Sequence, residues 1–189
     1  MYPRKIAVSA GIFTLAFAVL ACAINIGGPA YPTPAIPIST EAVGELQSSL
    51  ETAVTAGSVS GMITLAFSEP QITSYLYYKL LSQTQPLIKN PQVYLREGQL
   101  QVYGTATEGN LEATVRIILN AGVDDQGQLS IGLASADFGP LPIPDGLKEI
   151  ITATIKEAFT GALGPVATGI RLQGVTISDG TMTIVGQIK

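Results

Sequence analysis

The chain has 189 residues, of which 47% are apolar and only 13% charged, with 20 glycines; that composition suits a β-rich globule and argues against disorder. Ten basic residues less Arg4 and Lys5 leave eight against fourteen acidic ones, a balance of −6 over the remainder, which repels phosphate backbones and excludes nucleic acid as a partner. There is no His, no Trp and a single Cys, so Ser-His and Cys-His catalysis, an intramolecular disulfide and a Cys-based zinc site all fall away, and neither metal nor cofactor is expected.

Residues 1–26 form the first region. Arg4 and Lys5 precede a run from Ile6 to Ile26 that carries no charge, and the next charged residue is Glu41. A run of this length crosses a hydrocarbon core of about 30 Å as a helix, and the flanking charges place the N-terminus in the cytoplasm. Three readings fit: a retained transmembrane signal anchor, which the length favours; a lipoprotein signal ending at Cys22, which would be acylated; and cleavage after Ala21-Cys22-Ala23. The anchored forms hold the rest of the chain on the outer side of a membrane. Residues 27–40, with Pro29, Pro32, Pro34 and Pro37, read as an extended linker that spaces the domain from the bilayer.

Residues 41–189 read as one extracytoplasmic α+β domain. Ser39 or Thr40 caps a helix through Ala56 with Val43, Leu46, Leu50 and Val54 on one side, ended by Gly57. Val59, Gly61, Ile63, Leu65 and Phe67 alternate as a strand. Ser68-Glu69-Pro70-Gln71 has capping-box form, opening a helix to Ser82 whose apolar side is Ile72, Tyr75, Leu76 and Leu80. From Gln92 the period becomes two: strands turn at Glu97-Gly98, at Glu108-Gly109-Asn110 and at Asp124 to Gly127. Pro144 to Leu163 predicts a central helix, N-capped by Asp145 and stopped by Gly164-Pro165. Its stripe is Leu147, Ile150, Ile151, Ile155, Ala158, Phe159 and Ala162. Two last strands meet at Asp179-Gly180.

The hairpin Val93-x-Leu95-x-x-Gly98-x-Leu100-x-Val102-x-Gly104 matches Val175-x-Ile177-x-x-Gly180-x-Met182-x-Ile184-x-Gly186 without a gap. Two readings stay open: a duplicated strand–helix–hairpin unit, or two hairpins that share only a Gly turn and alternation. The expected architecture is a curved antiparallel sheet packed on amphipathic helices, preceded by the N-terminal membrane or signal helix.

The segments Ser68 to Leu76, Pro91 to Gly104, Ala136 to Pro144 and Ser178 to Gly186, behind an anchor and a Pro-rich stretch, resemble uncharacterised bacterial envelope proteins of the YpmS-like and lipomannan elongation factor A-like families. More distantly the chain is similar to tubular lipid-binding (TULIP) domains. The likeness covers residues 40 to 189. It implies a bent sheet around a long helix and an apolar groove, and it carries over no functional residue.

The function expected is therefore a membrane-tethered module binding lipid or another apolar ligand, with Tyr75, Leu76, Leu147, Ile151, Ile155 and Phe159 lining the groove. The alternatives are a tethered protein-interaction or structural module using Tyr77, Tyr78, Tyr94 and Tyr103, and a carboxylate hydrolase built on Glu97, Glu108 and Asp137. No reaction can be read from the residues, and a non-enzymatic role is the expectation.

Overall fold

The structure is a computed structural model that describes residues 24–84, 86–143, 145–146, 149–150, 153, 157 and 169–188. It is an α+β domain in which a curled, half-barrel antiparallel sheet packs against helices. The sheet is made of two hydrogen-bonded ladders. In the larger, β3 (Lys89–Arg96), β4 (Gln99–Glu108), β5 (Leu111–Val123) and β6 (Leu129–Asp137) are successive antiparallel neighbours, and the two-residue β1 (Ile24–Asn25) runs parallel to the start of β5. In the smaller, β8 (Thr181–Ile188) lies between β2 (Met62–Ser68) and β7 (Ile170–Ser178).

Alternation along the strands builds the core. Ala113, Val115, Ile117 and Leu119 of β5 are buried, and register sets them opposite Ala106, Gly104, Val102 and Leu100 of β4. Ile63, Leu65 and Phe67 of β2 and Met182 and Ile184 of β8 join the same cluster. Period two is what turns every second side chain inward. Leu111, expected on the core side, is an exception at 39% exposed, at the first position of β5.

Helix α1 (Thr40–Ser60) is capped by Ser39, whose hydroxyl accepts from Ala42 N–H at 3.1 Å. It runs through Gly57, the end expected from the residues. A Cβ on Gly57 would sit 3.0 Å from Ile188 Cδ1 and 3.1 Å from the Met62 carbonyl, so this glycine serves close packing against β2 and β8. Termination falls to Gly61 at φ 73°, whose N–H donates to the Gly57 carbonyl. Val59 accordingly stands on the helix, 90% exposed, and does not begin the strand. Helix α2 (Glu69–Leu81) opens as the capping box predicts, with Gln71 Oε1 accepting from Ser68 N–H at 3.0 Å.

The Pro-rich segment is not a free spacer. It crosses the outer face of β4 and β3 as a strap: Tyr94 donates its hydroxyl hydrogen to the carbonyls of Pro32 and Pro34, and Gln92 grips Ile36 at both backbone groups. Tyr31, Ile36, Tyr94 and Tyr103 form a second small apolar cluster there, and the Thr33–Pro34 bond is cis. Among the described residues no helix is long and apolar enough to cross a membrane; the apolar run up to residue 23, with Cys22, lies outside them. Ile24 to Ile26, which hydropathy alone assigns to that run, are hydrogen-bonded to the start of β5.

Candidate functional site

The concave side of the sheet is unevenly filled. Val93, Leu95, Leu100, Val115, Ile117 and Leu119 are wholly buried, whereas Leu129, Ile131 and Leu133 on β6 and Leu172 and Val175 on β7 are only half-buried against the same core. Aliphatic surface of this kind, left partly uncovered at one end of a curved sheet, is what an apolar ligand needs from a wall.

Helix α2 closes the other side. Ile72 and Leu80 are buried, and Tyr75 and Leu76 are half-buried against the core. Burial raises the Tyr75 hydroxyl above its ordinary range; the Lys79 charge pulls it down and the Glu157 carboxylate pushes it up. Lys79 Nζ is 2.8 Å from Glu157 Oε1, and that contact holds the Lys79 ammonium above its usual value. The pair also ties α2 to the stretch predicted as the central helix. Glu149, Ile150, Ala153 and Glu157 of that stretch are helical, and Ile150 N–H donates to the Gly146 carbonyl at 3.0 Å. The first helical acceptor is thus Gly146, one residue beyond the Asp145 cap that the residues suggest. Ile150 is 44% exposed and does not share the buried stripe assigned to it. Leu147, Ile151, Ile155 and Phe159 lie outside the described residues, as does Cys22. Of the six lining residues expected, the structure describes Tyr75 and Leu76, and Tyr75 feels the Glu157 charge.

Sequence reasoning missed the polar work of α2. Thr73 and Ser74 are fully buried. Thr73 Oγ1 accepts from Val93 N–H at 3.0 Å and Glu69 Oε1 accepts from Leu95 N–H at 2.8 Å. One helical turn apart, the two side chains take the place of a neighbouring strand along the open edge of β3. Gly180 N–H reaches the Leu95 carbonyl at 3.3 Å, which joins the two ladders at that corner. Ser74 Oγ accepts from Ser39 N–H, so α2 also fixes the strap's far end.

Two outer grooves flank this edge. The larger, of about 400 Å³, lies between the strap and β3 and is lined by Pro34, Ile36, Glu69, Pro70, Tyr94 and Arg96 among others. Arg96 pairs with Glu69 and stands over the Tyr94 ring at 5.9 Å. The smaller, of about 180 Å³, runs along the end of α2 between Tyr77, Leu80, Leu81 and Ile88. Tyr77 and Tyr78 meet edge to face at 5.3 Å and Tyr78 is exposed, but Tyr94 and Tyr103 are buried beneath the strap and offer no free aromatic surface.

The three carboxylates considered for hydrolysis do not converge. Glu97 and Glu108 lie just beyond and at opposite ends of β4, a ten-residue strand of roughly 30 Å. Asp137 ends β6 beside Arg116 and accepts from Gly139 N–H at 2.9 Å. Asp124 Oδ1 accepts from the N–H groups of Gln126 and Gln128 and so closes the β5–β6 turn. Among the described residues no group of three or more His, Cys, Asp or Glu could hold a metal ion.

No family model and no curated protein matches the chain, so the envelope-protein resemblance rests on the sequence segments alone. Among solved structures, one described as the crystal structure of lipopolysaccharide binding protein aligns with 68% of this chain at 11% identity. The chain spans about half of that structure's length (49%), and the TM-score of 0.23 is too low to carry an argument.

Proposed function

We propose that this protein is a membrane-tethered, extracytoplasmic module that binds a lipid or other apolar ligand between its sheet and helices, without catalysing a reaction. The observation that carries the reading is the uneven burial of the concave face. Leu129, Ile131, Leu133, Leu172 and Val175 form a partly uncovered aliphatic wall, with Tyr75 and Leu76 of α2 packed on the same core. The apolar stripe of residues 147 to 159 supplies the remaining wall in this reading, and tethering comes from the run before Ile24 or from an acylated Cys22. An apolar site of this kind needs no ionisable group at its centre.

Mass spectrometry of the purified full-length chain tests it. Co-purified lipid is expected, and Ile131→Glu and Leu133→Glu should lower the lipid-to-protein ratio several-fold while circular dichroism keeps its β signal. A chain that carries no lipid and does not take up a fluorescent fatty acid overturns the proposal. The strap groove beside Tyr94 and Arg96 favours one second reading, a tethered module that holds a protein partner. Cross-linking that recovers one partner from a lipid-free chain would select it.

A further inference from the structure

We infer that the β4–β5 turn end of the sheet is seated directly on the lipid surface, with Ile24, Leu111 and Ile143 entering the interface; this rests on the tethering read from the residues before Ile24. The chain has no slack at this end. Ile24 N–H donates to the Asn110 carbonyl at 2.8 Å, Ile26 N–H to the Glu112 carbonyl at 2.8 Å, and Thr114 N–H to the Gly27 carbonyl at 3.0 Å. Gly28 then lies against the Thr114 backbone, and a Cβ added to Gly139 would come 2.8 Å from Gly28 Cα. The chain is bound to β5 from Ile24 onward, so the residues after the apolar run span no distance between bilayer and domain. Residue 23 is one Cα step, about 3.8 Å, from Ile24. The eighteen residues from Ile6 to Ala23 still amount to about 27 Å as a helix, near the thickness of a hydrocarbon core. Acylation at Cys22 would bring the same end of the sheet equally close.

Aliphatic side chains are left uncovered at that end, as Val59, Met62 and Leu81 are elsewhere on the surface. Ile24 is 58% exposed and Leu111 39%, and the two are partners in register. Ile143, 59% exposed, belongs to the loop after β6 whose Gly139 touches Gly28. Exposed apolar groups gathered around the exit of an apolar segment are explained by lipid contact, and each gains when moved out of water. Charge does not supply the attraction: residues 6 to 40 carry none, and the nearest ionisable groups on β4 and β5 are Glu108 and Glu112. The seat should therefore form on zwitterionic phosphatidylcholine and survive added salt.

The absence of Trp from the chain makes a clean reporter. Leu111→Trp, and Ile24→Trp should the first variant fold poorly, mark the seated end. Gln126→Trp marks the exposed turn past the far end of β5, a thirteen-residue strand of roughly 40 Å. Each full-length variant is reconstituted in phosphatidylcholine vesicles with and without bromine on the acyl chains and floated on a density gradient. The expected result is a blue-shifted Leu111→Trp emission that brominated lipid quenches several-fold more than that of Gln126→Trp. Protein that floats with the vesicles but shows equal quenching at both ends, or none at either seated position, overturns the seat and leaves the tether standing. Protein that stays behind when the vesicles float overturns both.

Discussion

The β3–β4 and β7–β8 hairpins are the same object used twice, and only one of them is covered. Val93 pairs with Val102 and Leu95 with Leu100; 82 positions later Val175 pairs with Ile184 and Ile177 with Met182. Both turns place their two residues in the left-handed region, Glu97-Gly98 at φ 54° and 75° and Asp179-Gly180 at 49° and 75°. Both first strands break register near their start. The likeness extends to side chains outside the repeated pattern: a Cβ on Gly104 would overlap Ile88 Cγ2, and one on Gly186 would come 2.6 Å from Ile170 Cγ2, again at the same offset. Shared turn chemistry alone does not require the same crowding, so this favours duplication over coincidence. The difference lies on the outer face. Where β3 and β4 present Gln92, Tyr94 and Tyr103, the matching positions of β7 and β8 hold Gly174, Thr176 and Val185, and Thr176 is exposed. The inner face preserves a hairpin; the outer face decides whether something lies on it.

The largest effect should come from breaking the shared inner feature. Gly104→Ala forces Ile88 aside with the Lys89 carbonyl already 3.0 Å from the new methyl, and should cost about 2–3 kcal/mol in urea unfolding. Gly186→Ala meets less overlap and should cost less. Adding Ile88→Ala to Gly104→Ala should recover part of the loss, because the two volume changes oppose each other. Equal, small effects at both glycines would sink the equivalence.

The next effect separates the hairpins. Gln92→Leu removes an acceptor 2.6 Å from Ile36 N–H and a donor 3.1 Å from its carbonyl, both buried. Leaving those backbone groups unpaired should cost about 1–3 kcal/mol and expose residues 27 to 40 to limited proteolysis. Thr176→Val on the bare hairpin should change stability by no more than about 0.5 kcal/mol.

The same contrast explains what was legible beforehand. Alternation and Gly turns are local, so β3 to β8 could be placed from the residues, and Ser68 with Gln71 announced the start of α2. The strap could not be placed, because Pro34 or Pro37 fixes the same extended backbone whether the segment is free or docked. A signal existed on the other partner: Tyr94 and Tyr103 alternate with Val93, Leu95 and Val102, so these strands are apolar on both faces, which calls for a second cover. Thr73 and Ser74 went unmarked for a different reason. Short polar side chains on a helix read as its wet face, and only the open edge of β3 shows why they are buried. On the inner side, periodicity placed Tyr75 and Leu76 on the core-facing stripe of α2 but did not mark the half-buried residues of β6 and β7, since partial burial depends on how far the sheet curls and leaves no mark in period two.

The smallest effect concerns the strap's grip. Tyr94→Phe deletes donation to the Pro32 and Pro34 carbonyls at 3.0 and 3.3 Å and should cost about 1 kcal/mol. Burial, with the Glu69 carboxylate second, raises the Tyr94 hydroxyl above its ordinary value of 10.0, while Arg96 opposes the shift. A value raised on folding means that the neutral hydroxyl's contribution is complete below that ordinary value and is lost as pH climbs through the higher folded one. Protease cleavage within residues 27 to 40 should therefore accelerate only at strongly alkaline pH in the wild type. Tyr94→Phe should show a faster, flatter profile, since it has already lost the titrating donor. If both chains respond to alkali identically, Tyr94 does not hold the strap, and the covered hairpin owes its cover to Gln92 and Ile36 alone.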